Sequence, residues 1–361
     1  LILANLYFEE KNRLALQTLL DESKKLFPEN AMWPNWSAKL AIFLKELDAA
    51  IDHLRDALAL KADPATVSRL AVLLIKTQKP EAALNLLREH DQWTSTSSEQ
   101  LSLRALALSQ LGHVEHALST FGLAVQVSKQ PDDVLNTTRL MIRALGREQT
   151  MKQLGTLASG QHGVWVELAT AQLIYESRDF ARLLAILKNL EIRIAHESAE
   201  RDLYDRLLVI GQHRTGQVDA AKATYERILA RNAEDVEALN NLAYLLVNDL
   251  NDPMLAVELA QKADRLRPGN PDVLDTLGWA QFKANHMTSA RNNLERSVSL
   301  REGASNCLHL AQVLMKQLNY QRAQTLATKA LELAEQRNQI SLTEQARSLL
   351  QELERLQPLT K

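Results

Sequence analysis

The chain has 361 residues, of which 46% are hydrophobic, and 42 lysines and arginines stand against 44 aspartates and glutamates, for a net charge of −2. This balance leaves no electrostatic footprint for nucleic acid and no polybasic patch for a membrane surface. A single cysteine, Cys307, excludes an internal disulfide and a four-cysteine zinc site. Glycine is scarce, with 11 residues, and good helix formers dominate, so the composition predicts an all-α chain.

The first part of the chain, residues 1–131, reads as a series of helical hairpins. The run Leu1–Tyr7 is typical of the middle of a helix, and the chain does not begin with methionine. We therefore expect a fragment of a longer protein, whose upstream part would carry any targeting segment. The fragment itself has no apolar run of the roughly 18 residues that a transmembrane helix needs. Further units begin near Ala31, Pro64 and Ser98.

Residues 132–201 are less regular than the rest. The span 132–161 is short for a full unit, and the glycines Gly155, Gly160 and Gly163 cluster at its end. The next unit, 162–201, is long, which predicts a second helix of extended length. We expect degenerate hairpins and a bend in the array here, with a boundary between two sub-arrays as the alternative.

The units of residues 202–337 are the most regular. Their starts fall near Asp202, Val236, Pro271 and Ala304, which is a period of 33 to 35 residues. A constant period in this range is the sequence signature of a solenoid built from helical hairpins.

The remaining segment, residues 338–361, is predicted to be a C-terminal capping helix. Ser341 and Glu344 have the spacing of a capping box, as Thr96 and Glu99 do at the unit near Ser98. The segment is rich in polar residues, as the outer face of a terminal repeat must be for solubility.

Small residues recur at the same places in most units, where they let two helices approach closely. On the first helix these are Ala71, Ala105, Ala243, Gly278 and Ala311, and on the second they are Ala83, Ala117, Ala256, Ala290 and Ala323. This pattern at this period resembles the tetratricopeptide repeat (TPR). The resemblance implies a right-handed α-α superhelix of about nine to ten hairpins followed by a capping helix.

In that family the first helix of each hairpin lines a concave groove, and the resemblance implies where a ligand would lie. The implied groove residues are Arg206, His213, Arg214, Asn240, Tyr244, Asn248, Asp275, Trp279 and Lys283, with Phe282, Gln312 and Lys316 beside them. The implied partner is a protein or peptide, or a polysaccharide stacked on Tyr244 and Trp279. Trp279 and Phe282 can equally be packing residues between hairpins. The ordered lysines and asparagines that clamp a peptide carboxylate in some members are absent.

No motif predicts catalysis, so we expect a protein that is not an enzyme and needs no cofactor or metal. Phosphate-binding glycine loops, a nucleophile elbow and a His-Glu-x-x-His pair are all missing from the sequence. His113 and His116 lie near a turn without supporting ligands, and Cys307 occupies a packing position, where an inert thiol is expected.

A narrower resemblance comes from two consecutive units. The stretches Ala238-Leu-Asn-Asn-Leu-Ala-Tyr-Leu-Leu and Arg267-Pro-Gly-Asn-Pro-Asp-Val-Leu-Asp-Thr-Leu-Gly-Trp are similar to the TPR lipoproteins of the bacterial PEP-CTERM/exosortase system. This implies a scaffold in a cell-envelope or exopolysaccharide system, in the periplasm or at the outer membrane. A cytoplasmic peptide-binding adaptor or co-chaperone is the alternative, and direct polysaccharide binding is another.

Overall fold

The computed structural model describes residues 2–160, 162–194 and 199–356, which form helices and turns without a β-strand. The chain divides into two compact units: unit 1 comprises residues 1–177 and 186–200, and unit 2 comprises residues 178–185 and 201–361. The predicted all-α architecture of successive hairpins is confirmed over the described residues.

Unit 1 begins with eleven helices of two or more turns and one short helix, α7. In chain order these are α1 (Ile2–Glu9), α2 (Arg13–Leu26), α3 (Met32–Phe43), α4 (Leu47–Leu60), α5 (Pro64–Lys76), α6 (Pro80–Glu89), α7 (Asp91–Thr94), α8 (Ser98–Gln110), α9 (Val114–Gln126), α10 (Pro131–Leu145), α11 (Arg147–Leu157) and α12 (Gly163–Glu176). The next helix, α13 (Phe180–Leu190), contributes residues to both units.

Unit 2 contains the regular repeats. Its helices are α14 (Ala199–Arg214), which enters the unit at Arg201, α15 (Val218–Arg231), α16 (Val236–Asn248), α17 (Pro253–Leu266), α18 (Pro271–Lys283), α19 (Met287–Leu300), α20 (Ala304–Lys316), α21 (Tyr320–Gln336) and α22 (Ile340–Leu356). The first helices α16, α18 and α20 begin at the residues predicted from the period.

Helix starts are set by side chains that accept otherwise unpaired backbone N–H groups. Asp63 accepts the N–H of Thr66 at 2.9 Å at the start of α5, and Asp235 accepts the N–H of Ala238 at 2.9 Å at the start of α16. Ser97 caps α8, with the N–H of Gln100 at 3.3 Å from its hydroxyl.

Two predicted capping boxes were placed wrongly. Helix α8 is capped by Ser97, not by Thr96, because the hydroxyl of Thr96 bonds backwards to the carbonyl of Trp93. Helix α22 begins at Ile340, so Ser341 lies inside the helix. The predicted end before Pro358 lies outside the described residues.

The hairpin turns share one backbone feature that the sequence pattern does not indicate. A residue with positive φ lies one or two residues before the second helix in successive hairpins, at 45, 78, 112, 146, 178, 216, 251, 285 and 318. Glycine occupies three of these positions, but Leu318 occupies the last with φ 63°. A left-handed conformation at a branched side chain is strained by roughly 1 kcal/mol.

The small residues of the repeat lie where two helices approach most closely. Ala71, Ala105, Ala243 and Ala311 are completely shielded from solvent, as are their counterparts on the second helices, such as Ala256. At Gly278 of α18 an added Cβ would stand 2.6 Å from Cγ of Leu294 and 3.1 Å from the carbonyl oxygen of Ala290 on α19. The predicted role of the small residues is therefore confirmed.

The region 132–201 differs from its prediction in one respect. Helix α13 ends at Leu190, so the long unit does not contain an extended second helix. Its extra length lies after α13, in a turn followed by residues 195–198, which are outside the described part of the chain. The bend expected in this region stays a prediction.

Candidate functional site

Polar side chains link the first helices of consecutive repeats in unit 2. His213 of α14 lies 3.1 Å from the carboxylate of Asp249 after α16. The indole N–H of Trp279 on α18 donates to Oδ1 of Asn248 on α16 at 3.1 Å. Nδ1 of His309 on α20 lies 2.8 Å from Asp275 on α18. We call the surface formed by α14, α16, α18 and α20 the first-helix face.

Arg206 is held by three carboxylates. Its guanidinium bonds Asp202 at 2.7 Å, Asp235 at 2.5 Å and Glu237 at 3.2 Å, and the last two belong to the start of the next repeat. Burial lowers the pKa of Arg206, but the bonds to Asp202 and Asp235 outweigh it and raise the pKa. Arg206 therefore fastens α14 to α16 and has little capacity left for a ligand.

Trp279 is a packing residue in this structure. Only 7% of it is exposed, and its ring stacks on His309 with centroids 4.2 Å apart and planes 12° from parallel. The ring centroid of Phe282 lies 5.3 Å from that of Trp279, and the ammonium of Lys283 lies 4.8 Å from the Trp279 centroid. Neither face of the Trp279 ring is open to a sugar. Trp279 therefore has the packing role that was the alternative prediction for it.

Tyr244 is the exposed aromatic side chain of the predicted set. It is 41% accessible, on the turn of α16 that precedes Asn248. Burial of part of its ring and the charges of Asp275 and Asp249 raise the pKa of its hydroxyl, against the opposing charge of Arg214. The phenol is therefore a neutral donor at physiological pH, close to the cationic Arg214.

Asn240 and Asp275 differ in their hydrogen bonding. Nδ2 of Asn240 donates to Asn241 at 3.3 Å, while its buried Oδ1 has no partner among the described atoms. Both oxygens of Asp275 are engaged, since the hydroxyl of Ser305 donates to the second at 2.8 Å. Asp275 therefore joins α18 to α20 through both of its oxygens. Asn240, in contrast, has one buried oxygen without a hydrogen-bond partner among the described atoms.

All nine predicted residues lie on helices α14, α16 and α18, and they differ in accessibility. Arg214, Tyr244, Asn248 and Lys283 are exposed, whereas Trp279 is buried and Asp275 is partly buried. Sequence reasoning missed His309, which stacks on Trp279 and bonds Asp275. His309 lies one repeat length after Asp275, and that spacing was the available signal.

The single cysteine of the chain lies on α20, one of the helices of this face. Cys307 of α20 is fully shielded, and burial raises the pKa of its thiol to about 11, so it stays protonated and unreactive. No cluster of three or more metal-ligating side chains occurs among the residues that the structure describes. Within the same residues, no helix combines the length and apolar character needed to cross a membrane.

Unit 2 is thus an array of helical hairpins whose first helices form a polar, partly exposed surface. Residues 211–271 match the family model described as Tetratricopeptide repeat. That match covers α15, α16 and α17 completely, together with the last residues of α14 and the first residue of α18.

One curated relative is similar over a short segment. TPR repeat-containing protein PA4667 of Pseudomonas aeruginosa is 31% identical over 71 residues, which is 20% of this chain and only 12% of that relative. The similarity therefore concerns repeats and leaves most of the relative without a counterpart here.

Solved structures with a similar arrangement of helices have low sequence identity. Yeast Tom70 matches 98% of this chain and 95% of its own, with 13% identity and a TM-score of 0.44. TTC0263, a thermophilic TPR protein of Thermus thermophilus, matches 52% of this chain and 98% of its own, with 17% identity and a TM-score of 0.42. YrrB, described as a TPR protein with an unusual peptide-binding site, matches 54% and 96%, with 15% identity and a TM-score of 0.40.

Proposed function

We propose that the protein is a non-catalytic scaffold that holds a segment of a partner protein on the first-helix face of unit 2. This proposal rests on one observation: some side chains of that face are exposed, while their neighbours are held by hydrogen bonds between repeats. Tyr244, Arg214 and Lys283 are exposed, while the groups around them are fixed by bonds between repeats, such as Trp279 to Asn248. A surface whose side chains are already ordered loses less conformational entropy on binding.

A protein segment fits this face better than a polysaccharide does. Sugar rings bind by stacking on open aromatic faces, and Trp279 is covered by His309 and Phe282. Tyr244 alone of the predicted aromatic pair is accessible, at 41%. The exposed amide of Asn248 and the cations beside it suit the carbonyl groups and charged side chains of a peptide.

The cellular setting proposed is a bacterial envelope or exopolysaccharide system, with the chain facing the periplasm. It is supported by the resemblance of residues 238–279 alone. Fractionation of cells that produce the full-length gene product tests it, since a periplasmic or outer-membrane fraction is expected. Recovery in the cytosolic fraction would instead favour a cytoplasmic adaptor.

Site-specific photocrosslinking tests the binding face. Replacement of Tyr244 by p-benzoylphenylalanine places a crosslinker on the face, and the same replacement at the exposed Gln261 on α17 is the matched control. Irradiation of producing cells is expected to give a discrete protein adduct from position 244 and none from position 261. Equal or absent adducts at the two positions would contradict the proposal.

A further inference from the structure

Two histidine–aspartate pairs link first helices on the two sides of Tyr244 along the array. Nε2 of His213 on α14 lies 3.1 Å from Oδ2 of Asp249, the residue that follows α16. Nδ1 of His309 on α20 lies 2.8 Å from Oδ1 of Asp275 on α18. One pair therefore joins the helix of Tyr244 to the preceding repeat, and the other joins the two repeats that follow it.

The charges of both aspartates act on the hydroxyl of Tyr244. Partial burial raises the pKa of this hydroxyl, Asp275 and Asp249 raise it further, and Arg214 lowers it. A ligand carboxylate beside Tyr244 would be exposed to the same three charges. The neutral phenol and the guanidinium can each donate a hydrogen bond to it, whereas the two aspartates would repel it.

Protonation of the two imidazoles changes this balance. Imidazole is the side chain whose charge changes most readily between about pH 8 and pH 5. An uncharged imidazole leaves the negative charge of the bonded aspartate in place, whereas an imidazolium cancels it. The imidazolium would itself be bonded to a carboxylate, so its charge would not be left unpaired. No second carboxylate pairs with His213 or His309 in the part of the chain that the structure describes.

Three cations lie near these pairs. Arg214 is the chain neighbour of His213, and the ammonium of Lys283 lies over the same indole ring on which His309 stacks. Lys316 is exposed near the end of α20, the helix that carries His309. With uncharged imidazoles the two aspartates offset two of the three cations. With imidazoliums all three positive charges are left, so the face changes from nearly neutral to cationic as the pH falls.

We propose that the first-helix face binds an acidic side chain of the partner between Tyr244 and Arg214, and that this binding is coupled to protonation of His213 and His309. The phenol and the guanidinium donate hydrogen bonds to the carboxylate, and the imidazoles take up protons as it binds. The face therefore holds the partner more tightly as the pH falls from about 8 to 5. This inference rests on the proposed scaffold function and adds the contacted group and its regulation.

Fluorine NMR on the whole chain measures this binding, with 3-fluorotyrosine at position 244 as the reporter. The probe is glutamate capped as its N-acetyl α-amide, whose only charge is the side-chain carboxylate. Capped glutamine, which lacks that charge, is the matched control. Capped glutamate is expected to bind roughly tenfold more tightly at pH 5.5 than at pH 7.5, because the repulsion from two aspartates is removed. The affinity for capped glutamine is expected to be the same at both pH values.

Variants separate the coupling from a defect in folding. His213→Gln combined with His309→Gln is expected to keep the weak binding at pH 7.5 and to lose the gain at pH 5.5, because an amide stays uncharged. Asp249→Asn removes one repelling charge and is expected to tighten binding at pH 7.5 by roughly threefold, a gain that a misfolded chain would not give. The control variant is His116→Gln, at an exposed histidine of α9 in unit 1, and it is expected to retain the full pH dependence.

Equal affinity for capped glutamate at the two pH values would overturn the inference, as would a pH dependence that persists in the double histidine variant. Equal binding of capped glutamine and capped glutamate at pH 5.5 would overturn the recognition of a carboxylate. Failure of capped glutamate to bind at pH 5.5, with the adduct from position 244 still present, would overturn the inference and leave the scaffold proposal standing. Absence of that adduct is the result that counts against the scaffold itself.

Discussion

At the scale of single residues, unit 2 contains a buried carboxylate that holds three arginines. Asp205 of α14 is completely shielded, and it bonds Arg201 at 3.3 Å and Arg231 at 2.7 Å, as well as Arg227. Arg201 is itself 97% shielded and lies over the ring of Tyr204. Removing one partner of such a group leaves buried charge without compensation, which is far more costly than losing a surface pair.

Replacing Asp205 with alanine is therefore expected to lower the free energy of unfolding of unit 2 by about 3 kcal/mol or more. Urea denaturation measures the effect. The control is Glu226→Ala, which removes the solvent-exposed pair with Lys222 at 3.8 Å and is expected to cost under ~1 kcal/mol. Similar losses for the two variants would show that the buried cluster contributes no special stability.

Glycines offer a second comparison at this scale. Gly278→Ala is expected to destabilise unit 2 by about 1–3 kcal/mol, because the methyl group meets Leu294 and the backbone of Ala290 on α19. Gly155→Ala is its counterpart in an exposed helical position of α11 with open space around it, and should stabilise by about 0.5–1 kcal/mol. Shifts of the urea midpoint in opposite directions are the expected result. A stabilising Gly278→Ala would contradict the close approach of α18 and α19.

At the scale of the helix, caps decide where elements begin. Asp63 at the start of α5 accepts the N–H of Thr66 at 2.9 Å and the hydroxyl of Thr66 at 2.6 Å. Partial burial raises the pKa of Asp63, but these hydrogen bonds outweigh it and the pKa lies below its ordinary value. A carboxylate with a depressed pKa stabilises the folded state above its unfolded pKa, and this contribution is lost as the pH falls through the folded pKa.

Asp63→Ala is thus expected to cost about 1 kcal/mol at neutral pH, and the difference from the original protein should shrink below about pH 4. Asp63→Asn keeps an acceptor for the N–H of Thr66 and removes the charge. It should therefore retain most of the stability and lose this pH dependence. Unfolding midpoints of the original protein and the two variants at pH 7 and pH 3 test this prediction. A difference in stability between Asp63→Ala and the original protein that grows in acid would contradict the capping role of the Asp63 carboxylate.

Element boundaries show where sequence reasoning worked and where it failed. The starts of α5, α8, α16, α18 and α20 followed from the period, because each unit repeats the same burial pattern. The caps of α8 and α22 did not follow, since several neighbouring hydroxyl groups can cap and only the backbone path selects one. Ser97 has the required extended backbone, while Thr96 turns back to Trp93.

At the scale of the whole molecule, repeats contact mainly their neighbours along the chain, as expected for solenoids. A local defect should therefore spread over adjacent hairpins and no further. Hydrogen exchange with mass spectrometry on Gly278→Ala is expected to show faster exchange in α17–α20 and unchanged protection in α3–α9 of unit 1. A uniform loss of protection over both units would mean that the chain unfolds as one cooperative body.

The sequence by itself determined the all-α class, the repeat period and the small residues at helix contacts, because each of these is a local pattern repeated along the chain. The resemblance to the tetratricopeptide repeat implied the candidate residues of the first-helix face. Only the tertiary structure decided which of them are accessible. Arg206 is taken up by ion pairs and Asp275 by hydrogen bonds between repeats, and Trp279 is covered by His309, which comes from the next repeat. Accessibility depends on side chains some 30 residues away, and for that reason a pattern within one unit could not reveal that Arg214, Tyr244 and Lys283 remain exposed.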